Sequence, residues 1–111
     1  MTEIGYGVHI TRVDTQEWQP DEEVGGSAHI LLQEGSTIVG LWKADPGVPA
    51  EVPSVELPAR ETILVLEGSV RIGIDGAEAT EFEADQIVSL PKGATIAWDP
   101  SPDCKVFWIY S

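Results

Sequence analysis

Glycine and proline punctuate this chain so densely that no long helix has room to form. The 111 residues include 11 Gly and 8 Pro. No uninterrupted stretch carries apolar residues at the i, i+3, i+4, i+7 spacing of an amphipathic helix. What lies between the breaks is short and rich in β-branched and aromatic residues. Strands are expected at Val8–Val13, Ala28–Glu34, Thr37–Ala44, Glu61–Glu67, Val70–Ile74, Ala79–Glu83, Gln86–Ser89, Ala94–Asp99 and Cys104–Tyr110. Asp75-Gly76 is a two-residue hairpin signal. Asp45-Pro46-Gly47 presets a corner through its proline, and Glu34-Gly35-Ser36 is a further turn. The prolines in Asp99–Asp103 remove ladder donors and make it a loop. Many short strands between turns indicate an all-β sandwich or barrel, mainly antiparallel.

Two longer connections interrupt the pattern. Gln19–Ser27 is acidic and glycine-rich and reads as a mobile loop. Gly47–Pro58, with Pro46 just before it, reads as an extended crossing segment.

Alternation along the strands adds a constraint. Ile63 and Val65 point to one face, Leu64 and Leu66 to the other. Val106, Trp108 and Tyr110 oppose Phe107 and Ile109 in the same way. A small barrel conceals one apolar face in its interior. The second needs a cover, either another sheet or another subunit. A homodimer formed by sheet packing or strand exchange is therefore expected.

Composition narrows the functional classes. The net charge is −13, from 19 acidic and 6 basic residues. Such a surface repels a phosphate backbone or an anionic membrane, which argues against nucleic-acid and lipid partners. No apolar run approaches the ~18 residues of a membrane span, and Met1-Thr-Glu-Ile lacks the basic and apolar regions of a signal peptide. The single Cys104 can form no internal disulfide and no cysteine metal cluster. These features point to a soluble cytoplasmic protein, a single domain over residues 1–111.

The spacing of several motifs resembles the cupins, small jelly-roll (double-stranded β-helix) barrels that usually hold a metal. The matching residues are Gly40-Leu-Trp42, Asp45-Pro-Gly47, Glu61 through Leu66-Glu67-Gly68, Asp85, Pro91, Gly93, Trp98 and Trp108-Ile-Tyr110. The pattern is most similar to small cupins of the ureidoglycine-aminohydrolase-like group. By that resemblance residues 40–111 carry the core motifs, and residues 1–39 supply strands that contribute to a dimer. The resemblance also marks where family metal ligands fall: two histidine positions near Ser54 and Glu56, a carboxylate at Glu61, and a third histidine at Ile96. Only Glu61 keeps a ligand type. An aliphatic side chain cannot coordinate, so no metal and no other cofactor is expected.

Glu61 should point into the barrel between apolar walls. A buried carboxylate without a partner is costly and tends to stay protonated. Tyr6, Tyr110, a Trp N–H or Arg71 could serve it, whereas Arg60 should point away. Trp98 and Ile96 share a strand face and should both line the interior, with Trp42 as a second aromatic wall. Glu61, Trp42, Trp98, Ile96 and Glu56 thus form the candidate ligand-binding set. His29 reads as a half-buried strand histidine and His9 as structural or exposed. Three functions remain open: a metal-free dimer binding a small organic molecule, a hydrolase or isomerase acting on a small metabolite, and a non-catalytic accessory module. A carboxylate among indoles suits a small cationic or hydrogen-bond-donating ligand.

Overall fold

A computed structural model describes residues 2–45 and 52–111. The expected Pro46-Gly47 corner and the first part of the crossing segment, residues 47–51, lie outside the described residues. Among those described, twelve strands and no helix are found. In chain order they are β1 (Thr2–Gly5), β2 (Val8–Ile10), β3 (Gln19–Pro20), β4 (Ser27–Glu34), β5 (Thr37–Lys43) and β6 (Ser54–Glu56), then β7 (Glu61–Glu67), β8 (Ser69–Ile74), β9 (Thr80–Glu83), β10 (Ile87–Leu90), β11 (Thr95–Pro100) and β12 (Lys105–Tyr110). Every expected strand is present with small changes at its ends. Three further short strands, β1, β3 and β6, were not foreseen.

The strands form two facing antiparallel sheets and a separate hairpin. The larger sheet runs β10-β7-β12-β5-β4-β3, the smaller β6-β11-β8-β9, and β1-β2 is the hairpin. The sheets do not close on each other completely, but the arrangement is that of a jelly roll. Register fixes which side chains meet inside. Val106 lies opposite Val65 and Trp42, Trp108 opposite Ile63 and Gly40, and Tyr110 opposite Glu61 and Ile38. On the facing sheet Ile96 lies opposite Val55 and Ile74, and Trp98 opposite Ile72. Directly paired residues share a face, so these rows form the interior. Ile63, Val65, Val70, Ile72, Ile96, Trp98, Trp42 and Val106 make up one buried cluster spanning both sheets.

Turn chemistry follows the sequence. Asp75 and Gly76 take φ of 50° and 80°, the left-handed pair that a tight primed hairpin requires. The Asp75 carboxylate also accepts the Thr95 N–H at 2.9 Å, tying the hairpin to β11. At Gly68, between β7 and β8, φ is +68°, and a Cβ there would meet Ser101 Oγ at 2.5 Å and Asp103 Oδ1 at 2.6 Å. That corner accepts no side chain.

The outer face of the larger sheet is partly covered by the chain itself. Trp18 sits beneath two ammonium groups, Lys43 Nζ at 4.8 Å and Lys105 Nζ at 5.7 Å from the ring centre. His29 meets its edge, with ring centres 6.2 Å apart. Leu41 is buried on this face. Leu64, Leu66, Phe107 and Ile109 are only half-buried, and Ile87 beside them is 68% exposed.

Candidate functional site

Glu61 opens β7 on the interior face, two residues before fully buried Ile63. Strand alternation alone puts it there. Tyr110, its neighbour across the ladder, is the last residue of β12, and Leu90 is its neighbour on β10. Arg60 turns the other way and donates to Ser89 Oγ at 3.0 Å. Tyr6 is fully exposed on the β1–β2 hairpin, and Arg71 is exposed on β8 opposite Asp99 and Glu81. Of the expected partners, Tyr110 and the indoles share the cavity with Glu61, yet no described residue hydrogen-bonds the carboxylate.

Beside Glu61 lies a cavity of about 220 Å³. Trp42, Trp98, Trp108 and Tyr110 supply aromatic walls; Ile96, Val55, Ala28 and Val106 supply aliphatic ones. The Trp42 and Trp98 rings meet edge to face, 5.4 Å apart at 85°, the geometry that aromatic quadrupoles favour. Gly40 makes room for Trp108: a Cβ there would stand 3.0 Å from the indole. Asp21 and Glu23 complete the lining from the segment between β3 and β4.

That segment is the expected mobile loop, and it is a hydrogen-bonded turn. Asp21 Oδ1 accepts the N–H groups of Glu23 and Val24 at 2.9 and 3.1 Å. The Asp21 N–H reaches the Gly26 carbonyl at 3.0 Å. The Trp42 indole N–H donates to the Gly25 carbonyl at 2.8 Å. Gly26 has φ of +69°, and a Cβ on it would collide with the Lys43 carbonyl and the Trp42 ring. The loop thus fits against Trp42 because Gly26, lacking a Cβ, lets the backbone approach so closely.

Burial dominates the electrostatics. Desolvation, followed by the charges of Glu23 and Asp21, raises Glu61 from 4.5 to about 7. Burial and then the Glu61 charge push the Tyr110 hydroxyl well above its usual range. The Trp98 N–H is buried with no acceptor, which costs about 1–3 kcal/mol. Cys104 is 1% exposed, and burial, reinforced by Asp103, pushes its thiol up to about 12. A thiol held in that form is no nucleophile.

Of the residues singled out from sequence, Glu61, Trp42, Trp98 and Ile96 line this one cavity. Glu56 does not. It is exposed and opposite Thr95 on the outer face of β6, and Ser54 is likewise exposed opposite Ala97. The inward residue of β6 is Val55, because the pleat reverses side at each position. Counting a motif offset missed the pleat by one residue. His29 is buried, not half-buried, at 4% exposure, on the outer side of the sheet opposite Leu41. Its Nδ1 lies 2.8 Å from the Glu17 carbonyl oxygen, and it is no part of the cavity. Trp108, Tyr110, Asp21 and Glu23 were not assigned to the site. The first two were recognisable from their shared strand face; the acidic pair was not, because loop contacts place it.

The residues present do not fit a cupin metal. Valine and isoleucine occupy the inward positions of β6 and early β11, leaving Glu61 without imidazole partners. Among the described residues, no group of three His, Cys, Asp or Glu is arranged to hold an ion.

A larger open groove of about 1040 Å³ runs outside the barrel past Trp18, Glu22 and His29. Asp21 and Glu23 border both spaces. The interior cavity is the one that combines a buried ionisable group with convergent aromatic walls, the usual marks of a small-ligand site. Among the described residues no helix is long and apolar enough to cross a membrane.

Comparison with known proteins agrees with the architecture. Residues 31–105 match the EutQ-like cupin domain, which supports the cupin resemblance without confirming the aminohydrolase-like group. No curated protein matches the chain in sequence. An RmlC-like cupin family protein with a double-stranded β-helix fold from Methanocaldococcus jannaschii is similar in structure, with a TM-score of 0.71, 12% identity, and coverage of 99% of this chain and 93% of that one. A protein described as ethanolamine utilization protein Q from Salmonella typhimurium LT2 gives a TM-score of 0.70 at 19% identity, covering 84% and 76% of the two chains. KdgF from Halomonas sp. gives 0.67 at 20% identity, covering 86% and 87%. At these identities the likeness establishes the shared fold.

Proposed function

The chain belongs to the EutQ-like cupin family, and from that premise we propose that it is a metal-free, homodimeric cytoplasmic protein that binds a small organic cation inside the barrel. One observation carries this reading: an inward carboxylate with no hydrogen-bond donor, set among three indoles and a phenol, with Asp21 and Glu23 on the same cavity. Indole faces attract cations. Carboxylates bind ammonium groups through charge-assisted hydrogen bonds. No basic residue among those described lines the cavity, so a zwitterion would bring a carboxylate with no counter-charge to meet it. The space is below the ~300–1,000 Å³ of typical drug-sized sites, which favours a ligand of few heavy atoms. The net charge of −13 would speed the arrival of a cation.

An amino alcohol suits the site well. Its ammonium matches Glu61, and its oxygen offers an acceptor to the buried Trp98 N–H. Two structurally similar proteins are named for ethanolamine utilization or as EutQ, which makes ethanolamine a sensible member of the first panel. Small amines, quaternary ammonium ions, amino acids and carboxylic acids should be compared by thermal shift and tryptophan fluorescence. Cations should stabilise the protein, and the effect should disappear in folded Glu61→Gln and Trp98→Phe variants. Equal responses in both variants, or a preference for anions, would reject the reading.

The homodimer rests on the outer face. Half-buried Leu64, Phe107 and Ile109 lie in the larger sheet, while Ile4, Val8 and Ile10 of the β1–β2 hairpin are 61%, 47% and 53% exposed. A second copy could cover both. Sedimentation at micromolar concentration should show a dimer, and Phe107→Glu should yield a monomer. Wild-type protein that sediments as a monomer would remove this part. The competing hydrolase or isomerase reading draws only on Glu61 as a possible acid–base group. Turnover of any panel compound, abolished by Glu61→Gln, would favour it.

A further inference from the structure

We propose that ligand entry is an exchange of ions: Glu61 carries a proton while the cavity is empty, and an incoming organic cation expels it. The inference rests on the binding reading above and adds its stoichiometry.

The reason is that none of the described residues offers Glu61 a counter-ion. The chain has six basic side chains, and each is engaged or directed elsewhere. Arg12 pairs with Asp14 at 2.8 Å. Lys43 and Lys105 lie over Trp18 on the outer face. Arg60 bonds Ser89. Arg71 is exposed on β8, and Lys92 is exposed in the turn before β11. The elements packed around Glu61 bring no cation either. β12 presents Tyr110, β10 presents Leu90, β6 and β11 present Val55 and Ile96, and the loop before β4 presents Asp21 and Glu23. Asp21 and Glu23 oppose a charge on Glu61, and the neutral phenol of Tyr110 brings no counter-charge.

A largely desolvated carboxylate with no internal counter-charge is neutralised at least cost from outside the protein. Water supplies a proton, and a cationic ligand supplies an ammonium. The two compete for the same oxygens, so binding the ligand breaks the carboxyl O–H bond and releases the proton to buffer. The balance is one cation in and one proton out. The rise of Glu61 to about 7 places this exchange within the physiological range.

Tetramethylammonium is the cleanest probe, because its own charge does not titrate. Calorimetry in two buffers of different ionisation enthalpy should report about 0.9 proton released per site at pH 6 and under about 0.1 at pH 8.5, given the titration near 7. Apparent affinity should weaken roughly 30-fold between pH 8 and pH 5.5. An infrared carbonyl band of a protonated carboxyl should be present at pH 6, fade on adding the cation and be absent in Glu61→Gln. Adding the cation to Glu61→Gln should release no proton at either pH. Binding with no proton release, or unchanged release in Glu61→Gln, would overturn the exchange while leaving the binding reading intact. Failure of tetramethylammonium and every other cation in the panel to bind would overturn both.

Discussion

Two parts of one interior differ sharply. Ile63, Val65, Val70, Ile72, Leu90 and Cys104 are each exposed by 2% or less, and they fill the space between the sheets. Beside them Glu61, Trp108 and Tyr110 remain partly accessible around about 220 Å³ that the protein leaves open. The two meet on β7, whose inward row runs from Glu61 at the cavity to Ile63 and Val65 in the packed part. The difference lies in side-chain chemistry: aliphatic residues interlock to crystal-like density, whereas rigid rings around an acid leave a gap. The packed part supplies stability, and the hollow part gives some of it up.

The sharpest test of that contrast is to hollow out the packed part. Ile63→Ala should cost about 2–5 kcal/mol, seen as a large fall in denaturation midpoint. A loss below about 1 kcal/mol would mean the packed part is looser than its burial indicates.

Next, the cost of the hollow part can be removed. Glu61 binds its proton more tightly when folded, near 7 against 4.5 for an ordinary glutamate. Between those values the folded state holds more protons than the unfolded state, so stability should fall as pH rises from about 4.5 to about 7 and stay low above that. Glu61→Gln should therefore stabilise the protein at pH 8 by up to about 3 kcal/mol, and hardly at all at pH 4. Thermal melts at both pH values decide the matter; a destabilised variant at pH 8 would show that the carboxylate has a favourable partner.

The smallest effect sharpens the comparison most. Ala94, 5% exposed, belongs to the packed cluster, while Ala28 lines the cavity. Adding methyl groups at Ala94 (Ala94→Val) should cost about 1–3 kcal/mol. Ala28→Val should change stability by under about 0.5 kcal/mol, while reducing the room for a ligand. Equal costs would erase the distinction.

Most of this architecture was readable before any coordinates. Gly and Pro breaks, Asp75-Gly76 and period-2 alternation specify the strands and their inward rows, because those signals act locally. Glu61, Ile96 and Trp98 follow from the same alternation. The short strands β3 and β6 escaped notice because pairing with a neighbour, not their own residues, makes them strands. Asp21 and Glu23 escaped for a similar reason: their position depends on a hydrogen bond from Trp42 to Gly25, distant in sequence. Glu56 faces outward because the pleat, which a family offset does not encode, turns Val55 inward on β6.

The order of strands in the larger sheet bears on how the molecule comes into being. Lys105–Tyr110 is not an edge; it sits between β5 and β7, paired on both sides along nearly its whole length. Until it arrives, β5 and β7 each present an unpaired, apolar strand edge. Such contacts between remote parts of a chain make folding slow, and exposed edges invite association with other chains meanwhile. The strand β12 acts as a keystone, and the half-built arch is where this fold is most open to aggregation.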